Sequence, residues 1–180
     1  MNNIVGAMFA QEAEAREAMA ALAKTPSING TTIYQMSLVK RVNGELKLCD
    51  NFTSDQLKSD ETVKGGLIGG LIGILGGPLG VLLGGAAGGL LGNAVDSDNK
   101  TDSKTLIEQA AQKLEEGDMA LIAVVEEAKE EILDHMLVKY NTVVIRYDAE
   151  VIAKEVETAK KVQEEMAAQA REKVREAEKK

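Results

Sequence analysis

Tryptophan is absent from this 180-residue chain, and only Phe9, Phe52, Tyr34, Tyr140 and Tyr147 carry aromatic rings. So sparse a set offers no stacking platform for bases or sugars. Cysteine is almost absent too. The lone Cys49 cannot form an intramolecular disulfide, which fits a reducing compartment. One histidine, His135, beside one cysteine leaves no zinc-type ligand spacing, and no metal or cofactor is expected. Positive charge is in deficit: 21 Lys+Arg face 29 Asp+Glu, for a net charge of -8. No broad cationic face can form, which sets nucleic-acid phosphate aside as a main partner. A basic leader and a small-residue cleavage site are missing before Asn2–Phe9 (NNIVGAMF), so that run reads as a buried strand rather than a signal peptide.

Catalytic patterns are equally scarce. No G-x-S-x-G occurs, and Ser97 and Ser103 lie in an acidic stretch. Asp96, Asp98 and Asp102 superficially resemble a calcium loop, but the glycine and terminal glutamate that an EF-hand requires are missing. The stretch reads as a solvated linker. Glu115-Glu116 and Glu126-Glu127 read as helix-end charges without a partner for acid–base work. Cys49, in KLCDN, reads as a small strand residue, and His135, in LDHML, as a solvated or capped helix residue. The expectation is a non-enzyme with no small-molecule substrate.

What is there is unevenly spread. Thirteen of the 17 glycines lie between Gly65 and Gly92, and residues 65–95 carry no charge at all. Residues 96–148 hold 6 basic and 13 acidic side chains, so -7 of the total -8 resides there. The chain divides into four: the first half of an α+β domain (1–64), a glycine-rich apolar insert (65–95), the second half of that domain (96–148) and a charged amphipathic helix (149–180).

In the first part, Gln11–Lys24 is rich in strong helix formers and stops before Thr25-Pro26. Thr31–Val42 is β-branched and partly alternating, hence a strand. Asn43-Gly44 separates it from a second strand, Glu45–Asn51, and Asn-Gly between extended runs predicts a tight hairpin because both turn positions need positive φ. After the insert, Thr101-Asp102-Ser103 offers a cap for a helix through Glu116, with Gly117 as its stop. Met119–Val125 then reads as a strand, Glu126–Lys139 as a helix and Thr142–Tyr147 as a strand. Both halves are strand–helix–strand units. Two such units in tandem predict an α+β, split ferredoxin-like domain with an antiparallel sheet and two helices on one face.

The insert reads GGLIGGLIGILGGPLGVLLGGAAGGLLG. Glycines recur every four residues at Gly65, Gly69, Gly73 and Gly77, and again at Gly76, Gly80, Gly84, Gly88 and Gly92. On a helix this spacing lines up a groove that lets another backbone approach closely. In water, 13 glycines cost such a helix on the order of 10 kcal/mol against alanine, so an apolar environment or close packing must compensate. Gly77 and Pro78 break the run into legs of about 20 and 25 Å, each short of a hydrocarbon core of about 30 Å. A single crossing would also separate the two halves of the sheet, so the insert is expected to be a helical hairpin. Two readings compete: a hairpin inserted in a membrane, and a hairpin buried in the shared apolar core of a homo-oligomer. A phosphate loop fails, because no Gly-x-x-x-x-Gly-Lys-Ser/Thr occurs.

From Ala149 onward no helix breaker occurs. Ile152, Val156, Ala159, Val162, Met166, Ala170, Val174 and Ala177 form one apolar stripe, thin and alanine-rich after Val162. It reads either as a helix docking its N-terminal end on the domain or as a coiled-coil arm. Truncation after Tyr147 is expected to leave the domain folded.

Together the strand-first N-terminus, the Asn-Gly hairpin and the GGLIGG…GGPLG…GGAAGGLLG segment resemble a bacterial family, domain of unknown function 1269, over roughly residues 1–148. The resemblance implies a bacterial, intracellular, membrane-associated non-enzyme and adds no mechanism; with the glycine groove, the expectation is a protein at the inner face of the cell membrane with the bilayer and further copies of itself as partners. It supplies no catalytic residues. The expected contact residues are Gly65, Gly69, Gly73, Gly76, Gly80, Gly84, Gly88 and Gly92.

Overall fold

The computed structural model describes residues 2–55, 62–76 and 106–177. Its centre is an antiparallel sheet of six strands: β1 (Asn2–Phe9), β2 (Ser27–Ile28), β3 (Thr31–Val42), β4 (Glu45–Thr53), β5 (Met119–Glu127) and β6 (Val143–Asp148). The order is β2-β3-β5-β1-β6, and β4 pairs with β3 beyond the short β2 ladder. Strands from the two halves interleave. β5 lies between β3 and β1, and β1 lies between β5 and β6. The helices are α1 (Glu12–Lys24), α2 (Thr62–Gly76), α3 (Leu106–Lys113), α4 (Glu130–Leu137, continued as a 3-10 turn through Tyr140) and α5 (Ala149–Ala177).

The unbroken apolar run MALIAVV explains the layering. A strand covered on one face alternates; this one is buried throughout. Met119, Leu121, Ala123 and Val125 face Ala15, Ala18, Met19 and Leu22 of α1 and Leu133 and Leu137 of α4. Ala120, Ile122 and Val124 face the opposite layer, built from α2, Leu114 and α5. Helices therefore cover both faces, rather than the single face the tandem units implied. The reason lies in the glycine-rich segment. Leu67, Ile68, Leu71, Ile74 and Leu75 of α2 bury themselves on the second face, which the sequence had left open.

One irregularity in β3 keeps its apolar side chains pointing correctly. The register against β5 shifts between Ile33 and Gln35, with Tyr34 the extra residue, whereas the shift against β4 at Leu38/Val39 places the extra residue, Cys49, in β4. An extra residue reverses the parity of the strand beyond it. Ile33 and then Met36 and Leu38 thus all reach the α1/α4 layer, while Val39 reaches the other.

Asn43 and Gly44 take φ of 56° and 79°, as their hairpin requires. Asn29 and Gly30, at 48° and 81°, repeat the device between β2 and β3, an Asn-Gly turn not foreseen in the sequence. Other boundaries moved. Glu126 and Glu127 belong to β5, because neighbouring ladders on both sides extend that far, and α4 starts only at Glu130. The α3 helix ends at Lys113, so Gly117, at φ 92°, serves the turn before β5 rather than the helix stop; its N–H donates to the Arg41 carbonyl. The expected cap at 101–103 lies outside the described residues.

The α5 helix starts where Asp148 caps it, its Oδ1 accepting from the N–H of Glu150 at 2.8 Å and of Val151 at 3.0 Å. Ala149, Ile152, Val156 and Ala159 are buried in the domain core, and residues 164–175 are exposed. The helix thus docks by its N-terminal half. Truncation after Tyr147 would remove part of the core, which corrects the expectation that the domain would survive it.

Candidate functional site

The segment singled out in the sequence is an element of the domain. On α2 the apolar residues turn inward and the glycines outward. Gly66, Gly69 and Gly73 are exposed, and a Cβ built on any of them meets nothing within 4 Å among the described residues. Two glycines on the same helix do the opposite. A Cβ at Gly70 would stand 2.9 Å from Val156 Cγ1 and 3.1 Å from Lys160 Nζ, so this glycine lets α5 cross closely. A Cβ at Gly76 would stand 2.8 Å from the Leu46 carbonyl oxygen, where the helix end meets the backbone of β4. A shallow groove runs between α2 and α5 over Gly69, Gly70, Gly73, Ile74, Lys160 and Gln163. The expected rungs thus separate into an open set (Gly69, Gly73) and a closed one (Gly76, with Gly70 beside it). Gly77, Pro78, Gly80, Gly84, Gly88 and Gly92 lie outside the described residues, and the side-chain face at Gly65 does too.

Beneath α2 and α3 the sheet encloses an apolar cavity of about 60 Å³. Gly6 of β1 forms part of its floor, together with Met8, Ala120, Ile122, Ile145 and Tyr147; Leu71, Leu75, Ala110 and Leu114 line its roof and wall, and Lys113 lies at its edge. Gly6 sits mid-strand, and a Cβ there would meet nothing within 4 Å. The Tyr147 hydroxyl is buried without a hydrogen-bond partner among the described residues. Burial, and secondarily the nearby Glu155 carboxylate, push its pKa up, so it stays a neutral phenol. Glu155 itself accepts the N–H of Leu106 at 3.0 Å, at the start of α3.

The other charged groups hold elements together. Glu127 is buried and accepts from Asn3 Nδ2 at 2.9 Å and from Arg146 Nε at 3.1 Å. The Arg146 fork also donates to Asp134 Oδ1 at 2.7 Å and to the Glu130 carbonyl at 3.1 Å. One guanidinium thereby joins β5, β6 and α4, and Glu127 ties β1 to them through Asn3. Glu116 accepts the N–H of Asn43 at 2.5 Å and of Gly44 at 3.0 Å, and these backbone donors hold its carboxyl below the usual range. Neither Glu116 nor Glu127 is the idle helix-end charge read from the sequence. The signal missed was register: strand pairing brings Glu127 opposite Thr31 and beside Asn3. His135 is exposed on α4, and Cys49 packs at the margin of the α1/α4 layer. Among the described residues, no group of three His, Cys, Asp or Glu side chains could hold a metal ion, and no helix is long and apolar enough to cross a membrane.

Fold and site define an α+β protein whose glycine-rich helix closes one face of its own sheet. The chain belongs to the family described as "Protein of unknown function (DUF1269)", which matches residues 62–167. The match starts with α2 and ends within α5, so the glycine-rich segment and the second half of the domain carry it; NNIVGAMF and the Asn43-Gly44 turn fall outside. No curated protein and no solved structure matches the chain.

Proposed function

We propose that this is a non-catalytic protein that associates with further copies of itself through the open glycine face of α2. The observation behind this reading is the division of labour on that helix. Its leucines and isoleucines are spent on the domain's own sheet, whereas Gly66, Gly69 and Gly73 present bare backbone outward. A helix coated in this way is a poor surface for lipid, which needs apolar side chains facing out, and a good one for another helix at close range. The distal half of α5 extends the surface, exposing Met166 and Val174 at 41% and 57%.

The same reading takes the sheet order β3-β5-β1-β6, with α1 and α4 on one face, as a ferredoxin-like plan completed on its second face by α2, α3 and α5. Between the membrane-inserted hairpin and the oligomeric scaffold, burial of the α2 side chains favours the scaffold.

Light scattering on the purified full chain, with and without the paired change Gly69→Leu and Gly73→Leu, tests the proposal. The parent should be larger than a monomer and the double variant smaller, with unchanged circular dichroism. A parent that is monomeric, or a variant that assembles as the parent does, would refute it. Recovery of the parent only with detergent would return the membrane reading.

A further inference from the structure

The cavity beneath α2 is not needed to build the sheet. Glycine in a strand interior weakens the strand relative to alanine, and it often marks a place where a ligand or another backbone approaches closely. Outside its own strand ladders no backbone among the described residues comes near the open side of Gly6, where an added Cβ would meet nothing within 4 Å. Alanine would fit, and a larger side chain would fill the hole.

The walls of that space are almost wholly apolar. Ile4, Met8, Leu71, Leu75, Leu114 and Ile122 supply most of the lining. Lys113 and Tyr147 border it as well, Lys113 from an exposed position at the edge. The Lys113 ammonium is donor only, and the Tyr147 hydroxyl is a neutral phenol with no partner among the described residues. The acidic groups close by are already engaged: Glu116 holds the Asn43-Gly44 amides, and Glu155 holds the Leu106 amide. A volume of about 60 Å³ exceeds what a single water needs and accommodates a slender chain on the order of four carbons. Water would find few partners on such walls.

We propose that the cavity binds the tail of a free, unbranched alkyl carboxylate, whose head group stays at the rim beside Lys113. The apolar walls take the methylenes, and the ammonium selects an anionic acceptor over a neutral one. This site lies on the inward side of α2, opposite the glycine face, so it stands or falls separately from self-association.

Pentanoate, titrated into the full chain and followed by calorimetry and by amide chemical shifts, is the probe. Saturable binding is expected, with the largest shifts at β1, β6 and α3. Gly6→Val should abolish it by filling the floor. Ala110→Leu, at a half-exposed wall position on α3, should weaken it at least tenfold without overpacking the sheet, and it keeps the proposal falsifiable if the β1 variant misfolds. Lys113→Met should weaken pentanoate about three- to fivefold and leave 1-pentanol unchanged. Absence of saturable binding, or binding that neither cavity-filling variant reduces, overturns the proposal. So does an equal loss of pentanoate and pentanol in Lys113→Met, or uptake of pentanoate only in the presence of phospholipid vesicles.

Discussion

Glycines four residues apart on one helix do two unrelated jobs, and substitution separates them by sign. At Gly69 and Gly73 nothing lies within 4 Å of an added Cβ, so alanine should stabilise the fold by about 0.8 kcal/mol at each, its intrinsic advantage in a helix. At Gly76 the added atom would press on the Leu46 carbonyl, which belongs to a paired strand and has little room to retreat. Gly76→Ala should therefore destabilise by about 1–3 kcal/mol. Urea titrations of the three variants would show the opposite signs. Glu116 supplies a pH-dependent contact. Its folded pKa is depressed below the ordinary 4.5 by the amides of Gly44 and Asn43. Its stabilisation is complete above that ordinary value and is lost as the pH falls through the lower, folded one. Glu116→Gln should lose stability at pH 7 and lose less than the parent between pH 5 and the acid limit of folding, as read from thermal melts.

Between elements, the sequence was legible where a local rule governs and illegible where pairing does. Asn43-Gly44 and the apolar run MALIAVV name a hairpin and a strand directly, because turn φ and extended propensity are local properties; that the strand is covered on both faces was not read from it. The extra residue near Tyr34 left no mark, since a one-residue register slip changes no composition. The orientation of α2 was equally hidden. A GGLIGGLI pattern presents one glycine face and one aliphatic face, and only the sheet beneath it decides which is covered. The Arg146 junction belongs to this class in part: β5, α4 and β6 follow one another in the chain, but Asn3 of β1 reaches Glu127 across 124 residues. Arg146→Met would take the guanidinium away from the buried Glu127 carboxylate and cost about 3 kcal/mol. Adding Glu127→Leu to that variant should recover much of the loss, because removing both ions of a buried pair is often close to neutral. Denaturation midpoints of the two single variants and the double would check both statements.

At the scale of the molecule, the long helix is half core and half arm. Ile152, Val156 and Ala159 are buried, whereas everything from Glu164 through Arg175 is exposed. A chain ending at Gln163 should keep the cooperative unfolding transition of the parent and form a smaller or weaker assembly; one ending at Tyr147 should not fold. Circular dichroism and light scattering on the two truncations distinguish the cases. The interleaved sheet also sets a timetable. Asn2 pairs with Glu126 and Asn3 with Asp148, so β1 leaves the ribosome long before either of its neighbours exists. At about 5–20 residues per second, on the order of ten seconds elapse between them. Throughout that interval the nascent chain carries an uncovered strand and a growing stretch of aliphatic side chains awaiting a surface to lie on. Stalled ribosome-bound chains ending in a flexible spacer after Glu116 should be digested readily by a protease that spares those extended past Gln163, and equal resistance of the two would show that the N-terminal half closes unaided.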